Sequence, residues 1–170
     1  QEQVDKLLNA MITVSDNDSA NTLVGMLGNG DNAAGQEAVN TYCKNNGYTD
    51  TSMGRMLLEK ASANENYTSA RDCSVFLKNI YENKLEHSED MLNLLKQQTR
   101  TEKIPKGIPS GVETANKTGE LDHVENDAAI VFDGENPYII CVMADNLSDT
   151  TEARQRIVDI SSVVYENISK

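Results

Sequence analysis

Residues 115–144 read ANKTGELDHVENDAAIVFDGENPYIICVMA, and this stretch decides the fold of the chain. Its runs DAAIVF (127–132) and YIICVMA (138–144) are continuously apolar and rich in β-branched residues, which is typical of strands covered on both faces. The residues between the two runs, DGENP, have the length and composition of a hairpin connection. A shorter, mixed segment at 112–118 precedes them. The stretch therefore predicts three antiparallel strands.

A final helix follows the strands and is predicted to cover them. Ser148 or Asp149 begins it, because both residue types favour the N-cap position. Its apolar side chains recur at helical spacing, at Ala153, Ile157, Ile160, Val164 and Ile168.

The first 110 residues are predicted to be mostly helical. Ser69 and Asp72 form a capping box that begins one helix, and Ser88 is the candidate cap of the next. Residues 48–67 have no clear period and are predicted to form a long loop, which in a compact domain is usually functional. The fold class is therefore α+β, with a helical lobe at 1–110 followed by three strands and a terminal helix at 111–170.

The composition excludes several function classes. The chain has 170 residues, enough for one domain or two small lobes, and a formal net charge of −12. Such a chain is repelled by phosphate backbones, so nucleic acid is not an expected partner. No apolar run approaches the ~20 residues that span a bilayer. Three cysteines argue against a complete disulfide framework, and neither histidine has metal-ligand spacing.

Two polar triplets are candidates for a functional site. Ser15-Asp16-Asn17 lies between two predicted helices, where helix capping alone would explain it. Lys117-Thr118-Gly119 lies on the first predicted strand, where a buried lysine is costly without a partner or a function. A threonine hydroxyl can bind a carboxylate there, and a glycine lets a ligand lie close to the strand. The alternative is an edge-strand lysine in solvent.

In this order and context, the triplets resemble the second and third motifs of the penicillin-recognising serine hydrolases, the class A β-lactamases and penicillin-binding proteins. The stretches VSDNDSANTL, ETANKTGEL, ENDAAIVF and PYIICVMA carry the resemblance, and NYTSARDCSVFLKNIY resembles the segment that leaves the family's omega loop. The resemblance covers nearly the whole chain. It implies part of a β-lactamase/transpeptidase-like fold and no metal or organic cofactor.

The resemblance also implies roles for the residues that match. Ser15 would carry a proton between the nucleophile and the leaving nitrogen, and Asn17 would bind the side-chain amide of the substrate. Lys117 would supply positive charge near Ser15 and the substrate carboxylate. Thr118 would bind that carboxylate, and Gly119 would give the strand room.

The first departure from the family is the absence of its nucleophile motif, S-x-x-K, from all 170 residues. SVFLK (74–78) has one residue too many. We expect the nucleophile and its lysine in a segment before Gln1, so that this chain alone cannot form an acyl-enzyme.

Two further departures concern carboxylates. The family's deacylating glutamate is matched by Leu57, with Glu59 two residues further on as a weak candidate base or a solvated loop carboxylate. Slow deacylation would follow if Glu59 cannot act. Glu120 stands where resistance enzymes have a small hydroxyl residue, and it would repel an anionic substrate if it turned toward the pocket.

The parent reaction is expected to be acyl transfer from a β-lactam or a D-alanyl peptide, outside the cytoplasm. The open alternatives are a D-Ala-D-Ala peptidase, a non-catalytic sensor of β-lactams or peptidoglycan, and a trimmed product without activity. The expected partners are that small molecule and the N-terminal segment of the same protein. Exposed apolar surface also predicts a homodimer or swapped assembly for this chain alone.

Overall fold

The computed structural model describes residues 1–60 and 64–168. Residues 61–63 of the predicted 48–67 loop, and the last two residues of the 111–170 region, lie outside the described part. The chain divides into two compact units, Gln1–Asp72 and Cys73–Lys170. The division into 1–110 and 111–170 remains a prediction. In the described part, no helix combines the length and apolarity needed to cross a bilayer.

Three helices build the first unit: α1 (Glu2–Thr13), α2 (Asn17–Leu27) and α3 (Asn32–Asn45). α1 packs on α2, and α2 packs on α3. Gly35 makes the second contact possible, because a Cβ there would lie 2.0 Å from the carbonyl oxygen of Val24. Any larger residue at position 35 would push α2 and α3 apart.

The loop after α3 is held by side-chain amides. Ser52 and Tyr67 pair as an isolated antiparallel bridge, each N–H donating to the other carbonyl at 2.9 Å. The Asn40 carboxamide accepts from the N–H of Met53 at 2.7 Å and donates to its carbonyl at 3.0 Å. The Asn66 carboxamide accepts from the backbone N–H groups of Gly54 and Arg55, at 2.9 and 3.1 Å. The described part of the loop is therefore fixed by specific hydrogen bonds rather than by regular structure.

A three-stranded antiparallel sheet organises the second unit, in the order β1-β2-β3. The bounds of the remaining elements are α4 (Ala70–Tyr81), α5 (Ser88–Lys96), a 3-10 helix (Ile104–Gly107), β1 (Glu113–Leu121), β2 (Val124–Phe132), β3 (Tyr138–Ala144) and α6 (Thr150–Ile168). The order of helices and strands confirms the predicted α+β class, as a helical part followed by three strands and a terminal helix.

The core of the second unit lies between the sheet, the 3-10 helix and α6. Its buried members are Ile104, Ile108, Ala129, Val131, Ile140 and Ile157. Ile130, which alternates with Ala129 and Val131 along β2, is also buried. Both faces of β2 are therefore covered, which explains its continuous apolar run.

Two local predictions need correction, the cap of α5 and the apolar stripe of α6. Ser88 is the first residue of α5 rather than its cap, and its hydroxyl instead donates to the carbonyl of Leu85 at 2.8 Å. On α6, Ile160 and Ile168 of the predicted apolar stripe are 44% and 43% exposed, whereas Ser161 is fully buried with its hydroxyl donating to the Ile104 carbonyl at 2.8 Å. The 3-10 helix was not predicted. Asp149 caps α6, as one of the two predicted alternatives.

Candidate active site

The Ser15-Asp16-Asn17 triplet forms the junction between α1 and α2. Asp16 is the N-cap of α2, and its carboxylate accepts the N–H of Ser19 at 2.7 Å. Hydrogen bonds from the Ser19 side chain and backbone lower the pKa of Asp16 below its usual value. Ser15 has φ of +60°, which non-glycine residues adopt only a few per cent of the time. Capping therefore explains Asp16, and Asn17 is exposed as the first residue of α2.

A second asparagine ties the loop to the same helix. Asn21 lies one turn after Asn17, so both side chains lie on one face of α2. The Asn21 carboxamide accepts from the N–H of Leu57 and donates to its carbonyl, each at 2.9 Å. Leu57 is thereby fixed against the face of α2 that carries Asn17.

Glu59 helps to hold the loop through two local hydrogen bonds. Its carboxylate accepts the N–H of Met56 at 3.1 Å, and its carbonyl accepts from the Arg55 guanidinium at 2.9 Å. Glu59 and Leu57 both line an open cavity of about 360 Å³ beside α2. The exposed carboxylate is thus engaged locally, and its role as a base remains a prediction.

A large apolar groove opens between α1, α2 and the loop of the first unit. Its volume is about 700 Å³. The apolar side chains that line it include Val4, Leu8, Met11, Leu23, Val24, Met26, Leu27, Val39, Met53 and Leu57. Met26 and Leu27 are 47% and 60% exposed. A contiguous apolar surface of this kind is typical of an interaction site.

Lys117, Thr118 and Gly119 lie together in the middle of β1, opposite Ala128, Asp127 and Asn126 of β2. The Lys117 ammonium donates to the Thr118 carbonyl at 2.7 Å. Burial, followed by the nearby charge of Arg100, lowers the pKa of Lys117 to about 8. An ammonium of this kind exchanges its proton close to neutral pH.

Thr118 is buried within the chain, whereas the position of Gly119 has room for a larger residue. Thr118 is 6% exposed. A Cβ at position 119 would meet only Asn126, at 3.7–3.8 Å, which is ordinary van der Waals contact. The packing of this chain therefore does not require glycine there.

A buried ion cluster stands beside the same strand. Lys103 is 1% exposed, and its ammonium lies 2.6 Å from Glu125 Oε2 and 3.2 Å from Glu120 Oε1. Arg154, on α6, donates to Glu125 Oε1 at 2.7 Å. Glu120 also lies 3.5 Å from the Arg100 guanidinium and 3.9 Å from that of Arg154. Three cations thus surround the carboxylate that follows Gly119.

Asp127 is a second buried carboxylate of this region. It accepts from the N–H of Ile104 at 3.0 Å and from the Asn116 carboxamide at 3.1 Å. Burial raises the pKa of Asp127 to about 6, against the opposing effect of these hydrogen bonds. Asp127 therefore titrates in a pH range where ordinary aspartates are fully ionised.

A family model described as "Beta-lactamase enzyme family" matches residues 1–168. The chain belongs to the β-lactamase enzyme family. PBP-A is 25% identical with a TM-score of 0.83, over 95% of this chain and 60% of its own. A leucine-to-glutamate mutant of PBP-A, described as an acyl-enzyme complex with penicillin G, is 24% identical with a TM-score of 0.83. The match covers 95% of this chain and 60% of the mutant's chain. A class A β-lactamase from Mycobacterium abscessus is 22% identical with a TM-score of 0.84, over 98% and 65%.

This β-lactamase-family chain spans about 60% of the length of PBP-A and 65% of the M. abscessus enzyme. No curated protein matches it. The likeness confirms the family and the partial β-lactamase-like fold that the sequence predicted.

The structure of this β-lactamase-family chain places its candidate residues in two groups. Ser15 and Asn17 lie at the start of α2 in the first unit, and Lys117 to Gly119 lie on β1 in the second. A shared cleft for the two groups remains a prediction. Asn21 and Lys103 were not among the residues predicted from the sequence. The spacing of Asn21 from Asn17 by one helical turn was a usable signal, whereas nothing local marks Lys103 as buried.

Proposed function

We propose that this chain is the part of a penicillin-recognising serine acyltransferase that carries the proton relay and the carboxylate-binding strand. The observation that carries the proposal is Lys117, which lies half-buried in mid-strand with a pKa lowered to about 8. Thr118 and Gly119 follow it, and the chain's own packing does not require the glycine. A proton-exchanging ammonium followed by a hydroxyl and a glycine suits the binding of an acyl donor with a carboxylate.

In the proposed reaction, a serine hydroxyl attacks the β-lactam or D-alanyl carbonyl carbon. The new Oγ–C bond replaces the C–N bond, and the hydroxyl proton passes through Ser15 to the leaving nitrogen. Asn17 binds the side-chain amide of the substrate, and Lys117 stabilises the relay through its charge. Thr118 binds the substrate carboxylate, and Gly119 lets the substrate lie against β1.

The nucleophilic serine and its lysine are proposed to come from an S-x-x-K segment of the same protein outside residues 1–170. The share of the neighbours' length that this chain does not span leaves room for such a segment. The apolar groove of the first unit is its proposed seat, because its lining is apolar and its volume is about 700 Å³. An amphipathic helix would bury this surface.

The groove proposal has a separate test in the chain of residues 1–170. Without the S-x-x-K segment, the open groove should promote association, which light scattering measures as a rise in mass with concentration. A serine substitution at Leu23 should weaken that association. A monomer at high concentration would contradict the proposal.

The acyl-enzyme is proposed to be long-lived. Leu57 occupies the point of the loop that Asn21 fixes against α2, and the Glu59 carboxylate accepts the Met56 amide. We infer that Leu57, which has no ionisable group, and the locally bound Glu59 are poorly suited to activate a deacylating water. This observation favours a penicillin-binding protein or a covalent sensor over a resistance enzyme. Action outside the cytoplasm is proposed with it.

The deciding experiment is intact-mass measurement of the full-length protein after treatment with benzylpenicillin. We expect a stable increase by one penicillin, and slow turnover of nitrocefin. Lys117→Ala should slow adduct formation about 100-fold, because it removes a charge used in the transition state. Lys106→Ala, at an exposed lysine of the same unit, is the matched control and should leave the rate unchanged. Absence of an adduct in the wild-type protein would overturn the proposal.

A further inference from the structure

The carboxylate directly after Gly119 occupies an unusual position. Glu120 lies within 4 Å of three cationic groups, the ammonium of Lys103 and the guanidinium groups of Arg100 and Arg154. Its side chain is 31% exposed, whereas that of Lys103 is 2% exposed. The cations thus form an anion site that reaches the surface, and a side chain of the protein fills it.

The second carboxylate of the cluster does not neutralise this site. Glu125 is fully buried and is bound by Lys103 at 2.6 Å and by Arg154 at 2.7 Å. When Glu120 is left out, Glu125 pairs with Lys103 and Arg154, and the charge of the buried Asp127 also acts on Lys103, so three cations stand against two buried carboxylates. Although burial alone would raise the pKa of Glu120, the hydrogen bond from Lys103 and the three nearby cations lower it below its usual value. Glu120 is accordingly ionised at neutral pH.

Strand geometry relates Glu120 to Thr118. Residues two apart on a strand lie on one face, separated by about 7 Å. A carboxylate bound at the Thr118 hydroxyl would therefore lie close to that of Glu120. Unit charges at this separation near a protein surface repel by an amount that corresponds to about tenfold in affinity.

We propose that Glu120 is a specificity-determining residue, because its carboxylate fills the anion site of Arg100, Lys103 and Arg154 and so disfavours substrates that bring a carboxylate to Thr118. The inference rests on the proposed acyltransferase function. It assigns the protein a preference for acyl donors that are neutral or amidated at this position, relative to the same donors carrying a free carboxylate.

The test compares benzylpenicillin with its methyl ester in the full-length protein, by the rate of adduct formation in intact-mass spectra. Glu120→Gln keeps the shape of the side chain and removes its charge. It should raise the second-order rate about tenfold for benzylpenicillin and less than about twofold for the ester. The difference should shrink in high salt, because screening weakens the repulsion.

Glu113→Gln is the matched control. It makes the same charge change at the exposed first residue of β1, where the carboxylate pairs with Lys96 at 2.6 Å. It should change neither rate. Equal changes for both compounds in Glu120→Gln, or equal effects of the two variants, would show that Glu120 only stabilises the fold, and would overturn the inference.

A second readout does not depend on catalysis. Glu120→Ala empties the anion site, so sodium acetate should raise its melting temperature saturably, relative to sodium chloride at equal ionic strength. Wild type and Glu113→Ala should show no such difference. If no form of the protein is acylated, the proposed function is wrong and the specificity claim falls with it. The acetate result then still decides whether Glu120 fills an anion site, and no saturable effect means that it does not.

Discussion

The two units hold their candidate residues by different forces. In the first unit, neutral carboxamides hold the loop at Leu57 and Met53, through Asn21 and Asn40, and the partly buried Arg55–Glu65 pair is an ionic contact of the same loop. In the second unit, the strand with Lys117 lies beside buried ions, with Lys103 paired to Glu125. Neutral hydrogen bonds are insensitive to pH and salt, whereas buried charges are costly and depend on each partner. The loop at Leu57 and Met53 should therefore respond to the loss of single hydrogen bonds, and the ion cluster of the second unit to changes of charge.

The largest expected effect comes from breaking the buried ion pair. Lys103→Met leaves Glu125 buried with Arg154 as its remaining partner, which should lower the free energy of unfolding by about 3 kcal/mol. Urea denaturation followed by circular dichroism measures the change. Lys6→Met, in an exposed i,i+4 pair with Glu2, is the control and should cost less than about 0.5 kcal/mol. A small effect of Lys103→Met would show that the second unit does not depend on its ions.

An effect of comparable size is expected from a substitution in the loop of the first unit. It should change the rate of acyl-enzyme hydrolysis rather than the stability of the fold. Leu57→Glu places a carboxylate at the point that Asn21 fixes against α2. A positioned general base should accelerate hydrolysis of the acyl-enzyme by about 10²–10⁴. The decay of the penicillin adduct in full-length protein, followed by intact mass, measures this. Leu58→Glu, at the exposed neighbouring residue, should have no effect. Equal decay in both variants would contradict the proposed position of Leu57.

The next effect tests the carboxamide that holds the loop. Asn21→Ala leaves the N–H and carbonyl of Leu57 without this partner, which should cost about 1–3 kcal/mol. The Leu57 amide should also exchange with solvent faster, which NMR measures. Asn46→Ala removes an exposed bond to the Tyr42 carbonyl and should change stability by less than about 0.5 kcal/mol. Unchanged protection of Leu57 would mean that Asn21 does not hold the loop.

An effect similar in size to that of Asn21→Ala is expected from the pH dependence caused by Asp127. Its pKa is about 6 in the folded chain and 3.8 in the reference state, so the folded chain binds more protons between these values. Stability should consequently fall as pH rises from about 4 to about 6, by about 1–3 kcal/mol, and stay level above that range. Asp127→Asn should remove this slope in urea titrations. Asp133→Asn is the control and should keep it. A slope of the opposite sign would show that the ions of the cluster outweigh burial.

Local patterns predicted most of the fold because they depend on neighbours in sequence. The apolar runs around 130 and 140 predicted β2 and β3, since period and β-branching are properties of a short segment. The cap of α6 at Asp149 followed from the same local rules. The prediction that Ile160 is buried was wrong. The next residue, Ser161, takes the buried position instead, with its hydroxyl donating to the carbonyl of Ile104, 57 residues earlier in the chain. Sequence spacing cannot reveal such a distant partner.

The sequence by itself determined the family and the two triplets, because motif identity and spacing are read directly from the chain. Only the tertiary structure decided how the charges are placed. It buried Lys103 between Glu120 and Glu125, surrounded Glu120 with three cations, and lowered the pKa of Lys117 to about 8. The physical reason is that burial and Coulomb energy depend on distances between residues far apart in sequence, and no local pattern contains those distances.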